Sequence, residues 1–152
     1  MRNKNNNRGG VKYFSFFILI FTLTTGLSAD FSRDANGIVS DSRTGLEWQD
    51  NSSAVKQAIW TDALAYCEAL TLGTHNDWRL PNVSELDGIA DRTTFNPAMN
   101  ATFTNVISNG YWSSTTYASN ASNAWVMGFN YGNDVNDAKT NSFYVRCVRD
   151  GQ

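Results

Sequence analysis

The chain of 152 residues carries twelve Lys and Arg, fourteen Asp and Glu, one His and two Cys. That balance excludes a cationic footprint for nucleic acid or an anionic membrane, and it leaves little for an imidazole or thiolate metal centre. All fourteen acids but only eight of the basic residues lie beyond residue 29, so that part carries 8 − 14 = −6.

Arg2, Lys4, Arg8 and Lys12 precede an apolar run over residues 13–23, and Leu27, Ser28 and Ala29 end in a small residue. This is the three-part pattern of a signal peptide over residues 1–29, cut after Ala29. The run is short for a bilayer, and no cysteine follows the cut to carry a lipid. An exported chain without a transmembrane segment is expected, a retained signal anchor being the alternative. Residues 30–152 then suffice for a single domain with one core. Five Trp, many Tyr and Phe, and short clusters of Gly, Asn, Ser and Thr predict a loop-rich α+β domain, two short helices packed on small antiparallel sheets. With Cys67 and Cys147 as the two cysteines of an exported chain, a disulfide is the natural reading, since a redox pair would need Cys-x-x-Cys spacing.

Residues 36–41 and 45–50 read as two short strands around a turn at 41–45, followed by a polar loop over 51–56. Thr61 is positioned to cap a helix running to about Leu70, with Trp60, Ala63, Leu64, Cys67 and Leu70 on its inner face. Gly73 ends that region, and His75 decorates a polar turn. Next comes the most patterned stretch, residues 77–86. Pro81 holds Leu80 extended, Asn82 is an N-cap, and Glu85 three residues later completes a capping box. Val83, Leu86 and Ile89 turn one helix face inward. Trp78 and Leu80 cover Arg79 in part, and a covered guanidinium needs acceptors, for which Glu85 and Asp77 are nearest. Trp78, Arg79, Leu80, Pro81, Asn82 and Glu85 thus form a structural corner, a ligand-binding Arg79 being the other reading.

Residues 91–109 read as a long loop pinned by Phe95, Pro97, Met99, Phe103 and Ile107. Three strands follow, at 110–115, 124–129 and 142–149. In the second, Trp125, Met127 and Phe129 share a face. In the third, Phe143, Val145 and Cys147 oppose Tyr144, Arg146 and Val148. The intervening segments 117–123 and 130–141 are rich in Asn, Ser, Tyr and Asp, the chemistry of adaptable recognition loops. Tyr117, Asn120, Asn123, Asn130, Tyr131, Asn133, Asp134 and Asn136 are the candidate ligand-binding residues.

Five motifs in order resemble one family: residues 44–48, 60–67, 77–86, 111–115 and 144–149. Together they are similar to the domain at the C-terminus of the Legionella collagen-like adhesin, over about residues 36–149. The resemblance implies a C-type-lectin-like fold of the branch that includes formylglycine-generating enzymes, with a core disulfide from first helix to last strand. Two departures matter. Formylglycine chemistry needs reactive thiols, and both cysteines here read as structural. Calcium-dependent lectins use a Glu-Pro-Asn or Gln-Pro-Asp triplet, which the chain lacks. The expectation is an exported, non-enzymatic binding module without cofactor or metal, recognising a surface glycan or protein. Alternatives are a structural envelope protein and a receptor diversified by a retroelement, as some similar domains are. A hydrolase using Asp77, Glu85, Asp87 and Asp91 comes last.

Overall fold

The computed structural model describes residues 30–151. The signal peptide expected over residues 1–29 lies outside the described residues.

The elements follow as β1 (Phe31–Arg33), β2 (Ile38–Asp41) and β3 (Leu46–Gln49), then a 3-10 turn (Ser52–Val55) and β4 (Gln57–Ala58). Helix α1 (Trp60–Glu68) and helix α2 (Val83–Gly88) come next. The chain closes with β5 (Gly110–Thr116), β6 (Asn123–Gly128), β7 (Asn133–Ala138), β8 (Phe143–Tyr144) and β9 (Val148–Asp150). Two small sheets result. One runs β1-β2-β3-β9 and the other β4-β8-β5-β6-β7. The domain is therefore α+β, as its composition predicts, with antiparallel pairing throughout except where β5 meets β8 in parallel at Tyr111 and Tyr144.

The second sheet carries an apolar cluster on each face, because β5 and β6 alternate two apolar sets. Tyr111, Met127 and Phe129 join Val39, Trp48, Leu86, Ile89 and Val148 in one cluster. Trp112, Ala124 and Val126 join Ala63, Cys67, Trp78, Leu80, Val145 and Cys147 in the other. Helix α2 thus serves the first face and α1 the second. Cys67 and Cys147 are bonded, with their Cα atoms 5.4 Å apart, and both are fully buried.

Several expectations are corrected. Thr61 does not cap α1. The cap lies two residues earlier, at Ile59, which makes no side-chain bond, and the Trp60 N–H donates to Lys139 O at 3.0 Å instead. An orphan donor of the helix start is thus satisfied by the chain beyond β7. Residues 51–56 are not plain loop, since Asn51 Oδ1 accepts the Ser53 N–H and starts a 3-10 turn. The single strand expected over 142–149 is broken into β8 and β9, which belong to different sheets. Its side-chain alternation survives the break, with Phe143, Val145 and Cys147 in one cluster and Tyr144 and Val148 in the other. Residues 130–141 contain a strand, β7, rather than a continuous loop. In the 91–109 loop Met99 and Phe103 are buried, while Phe95 is 74% exposed and Pro97 and Ile107 also face solvent.

Candidate functional site

The residues 77–86 build a corner in which the two sheets and α2 meet. Arg79 exchanges backbone hydrogen bonds with Val148 at 2.8 and 2.9 Å, placing its side chain beside the last strand. Its guanidinium donates twice to the Glu85 carboxylate, both at 2.8 Å, and once to Asp150 at 3.1 Å. Glu85 also accepts the Asn82 N–H at 2.8 Å while Asn82 Oδ1 accepts the Glu85 N–H, so the capping box is complete. The Glu85 hydrogen bonds, outweighing burial, raise the Arg79 pKa above its ordinary value. Of the two acceptors expected for Arg79, only Glu85 takes the role. Asp77 pairs with Arg149 instead, at 2.7 and 3.1 Å, and Arg149 also reaches Glu47. The Arg149 hydrogen bonds hold the Asp77 carboxyl below its ordinary value.

A second ionic centre, which sequence reading did not single out, sits inside. Asp50 and Arg146 are both fully buried and paired at 3.0 Å. Asp50 further accepts from Arg33 at 2.7 Å and from the Thr104 N–H and hydroxyl at 3.0 Å. Burial pushes the Asp50 carboxyl up, but the Thr104 N–H, Arg33 and Arg146 outweigh it and bring it below the ordinary value. Arg146 lies over the Phe103 ring at 4.8 Å and donates to Gln49 O and Asn105 O, both at 2.6 Å. The Arg146 Nε is the one atom of this guanidinium without a partner among the described residues, and the remaining bonds describe a structural joint. Its one sequence signal is Arg146 alternating with Tyr144 and Val148 on an inward strand face.

The eight candidate ligand residues divide into two groups. β6 runs between the turn 117–122 and the turn 129–132, so those turns lie at opposite ends of the meander. Register puts paired residues of neighbouring strands on the same face. Trp125 pairs with Asn136, Met127 with Asp134, and Asn123 with Ala138, so Asn123, Trp125, Asp134 and Asn136 share the face that α2 covers in part. Tyr117 stands edge-on to Trp125, ring centroids 5.2 Å apart. Asn123 Nδ2 donates to Asn136 Oδ1 at 2.9 Å, and Asn120 Oδ1 accepts the Ser122 N–H at 3.1 Å, which stiffens the adjoining turn. Next to this surface Val83, Ser84, Asp87 and Asp134 line a cleft of about 300 Å³ between α2 and β7.

The other group lies elsewhere. Asn130 and Tyr131 occupy the β6–β7 turn, and Asn133, paired with Gly128, faces the opposite side of the sheet. They border a cleft of about 230 Å³ shared with Val126, Val135 and Phe143. The turn needs Gly132, whose φ is +72° and where a Cβ would come within 3.1 Å of the Arg92 side chain. Trp125 shares its face with Met127, as strand alternation predicts, and it is half-buried.

Among the described residues no three His, Cys, Asp or Glu side chains form a metal-ligand cluster, and no helix is long and apolar enough to cross a membrane. Comparison with curated proteins finds no match to the chain. Residues 37–149 match the family model described as the Lcl C-terminal domain, in agreement with the five ordered motifs. The match takes in both sheets from β2 to β9 and both helices, and the chain belongs to the Lcl C-terminal domain family.

Proposed function

We propose that the protein is an exported, non-enzymatic binding module of C-type-lectin-like architecture that recognises a surface glycan through the Trp125 face. The observation that carries this reading is the pairing of a half-buried Trp125 with Tyr117 at 5.2 Å beside Asn123, Asn136 and Asp134 on one sheet face. Rigid aromatic surface supplies contact area at low entropic cost, and amide and carboxylate groups supply hydrogen bonds to hydroxyls. The adjoining cleft beside α2 extends the surface by a polar recess. Asp134 on that recess, which enters none of the ion pairs among the described residues, favours an uncharged glycan over a sulfated one.

A hydrolytic reading has less support. Of the four carboxylates expected for it, Asp77 is held by Arg149, Glu85 by Arg79 and Asn82, Asp87 by Arg92, and Asp91 by Thr93. Each serves a different structural partner, whereas acid–base catalysis needs two that converge on one bond.

The test is a glycan array probed with the folded, disulfide-bonded protein, with and without calcium. Selective binding to uncharged glycans is expected, weakened about tenfold or more in Trp125→Ala, as for an aromatic anchor. Silence across the array from folded protein would refute the glycan reading. Binding untouched by Trp125→Ala would refute the face.

A further inference from the structure

We propose that the open edge of β7 is a docking strand for an extended peptide that alternates basic and apolar side chains. β7 stands last in its sheet, six residues in continuous register with β6. The Lys139 N–H donates to Ser122 O at 2.9 Å, which marks residues 122 and 139 as a hydrogen-bonded pair. Antiparallel alternation then turns the backbone groups of Asn133, Val135 and Asp137 toward β6 and those of Asp134, Asn136 and Ala138 outward. Ala138 is already occupied, its N–H donating to Asp137 Oδ1 at 2.7 Å and its carbonyl accepting the Asn141 N–H at 2.9 Å. The outward N–H and C=O of Asp134 and Asn136 remain as an open pair of rungs, the elements by which an added strand gains affinity.

The side chains on either side of these rungs specify what the added strand carries. Val135 is 45% exposed and Tyr131 68% exposed, and both border the cleft of about 230 Å³ whose far wall is Phe143. A residue opposite Val135 projects to that side, so it is apolar. A residue opposite Asp134 projects to the α2 side, where Asp134 enters none of the ion pairs among the described residues, so it is Lys or Arg. The nearby Lys139 does not neutralise the edge, because its ammonium is held 4.0 Å over the Trp60 ring and by the Thr116 hydroxyl. A second copy of the chain is the poorer occupant, since edge-to-edge pairing would bring the Asp134 and Asp137 of both copies to one seam. This proposal uses the strand edge, and it stands whether or not the Trp125 face binds glycan.

The experiment is titration of the isotopically labelled protein with a capped heptapeptide alternating lysine and valine, followed by amide NMR. The same peptide with glutamate for lysine is the control. The lysine peptide is expected to shift the Asp134, Val135 and Asn136 amides selectively, and the glutamate peptide to bind about tenfold more weakly or worse. Asn136→Pro removes an outward N–H without breaking a bond to β6, and it is expected to abolish the shifts. Val135→Lys, which leaves the backbone intact, is expected to weaken binding about tenfold, so the test does not hang on the folding of the proline variant. No shifts at β7, equal affinity for both peptides, or full binding by either folded variant would overturn the proposal. So would β7 shifts that depend on protein concentration without peptide, which would assign the edge to a second copy.

Discussion

At Asp50 and Arg146 a carboxylate and a guanidinium are both out of solvent, and their value lies in mutual neutralisation. Each group alone would be an uncompensated buried charge. Asp50→Asn removes the acceptor strength that answers Arg33, Arg146 and the Thr104 N–H together, and a loss of about 3–5 kcal/mol in unfolding free energy is expected at neutral pH. Urea denaturation measures it. The same carboxylate fixes a pH dependence. Its folded pKa lies below the ordinary 3.8, so its contribution is complete above that value and is lost as pH falls through the lower folded value. As pH falls below the ordinary 3.8 the wild-type protein loses stability through this group, whereas Asp50→Asn has no such loss to make there. A steeper acid dependence in the variant would contradict the assignment. Apart from Arg146 alternating with Tyr144 and Val148, this pairing was not legible from the sequence, because Asp50 and Arg146 lie 96 residues apart. Nothing local announces that two polar residues will be carried inside together.

The elements that local chemistry specifies were the readable ones. Helix α2 has only six residues, too few to be stable by propensity, yet its start was legible because Asn82 and Glu85 cap each other within four residues. The hairpin of β2 and β3 was legible for the same reason. Thr61 failed as a cap because a partner distant in sequence, Lys139 O, took over the helix start. The strand expected over 142–149 failed at its middle, since alternation reports which way side chains point and is silent on which sheet a segment pairs with. β7 was read as loop because Asn and Asp are depleted in strands, a preference that pairing with all of β6 overrides. The candidate site inherited that error. Four of its residues, with Trp125 added, gather on one face, and the turn at the other end of β6 carries Asn130 and Tyr131 away. The cap itself gives a measurable expectation. Asn82→Ala should cost about 1 kcal/mol, the usual worth of an N-cap. Glu85→Ala should cost more, about 2 kcal/mol, because it removes the reciprocal cap and the bidentate acceptor of a part-buried Arg79 together. Thermal or urea unfolding separates the two, and equal losses would show that the Arg79 pair adds nothing.

Across the whole molecule, the strongest single tie is the disulfide from α1 to the segment linking β8 and β9. The bond spans a sequence separation of 80, and it closes a loop containing both α2 and the entire β5–β7 meander. Closing a loop of that size in the unfolded chain contributes about 4 kcal/mol by chain entropy. Both sulfurs sit in the cluster of Trp78, Leu80, Trp112 and Val145, so serine replacements would add two buried hydroxyls to the cost. The paired substitutions Cys67→Ala and Cys147→Ala avoid that complication. They are expected to lower the unfolding free energy by about 4 kcal/mol and to raise the urea m-value, because an uncrosslinked unfolded chain exposes more surface. The effect should fall mainly on the unfolded state, leaving the β5–β7 surface and the glycan binding proposed for it in place while the protein remains folded. If the loss is below about 1 kcal/mol, the two apolar clusters hold the fold without the crosslink, and the loop-entropy account fails. If ligand binding is lost while near-native structure persists, the bond also positions the sheet, and the tie between α1 and the last strand belongs to function as well as to stability.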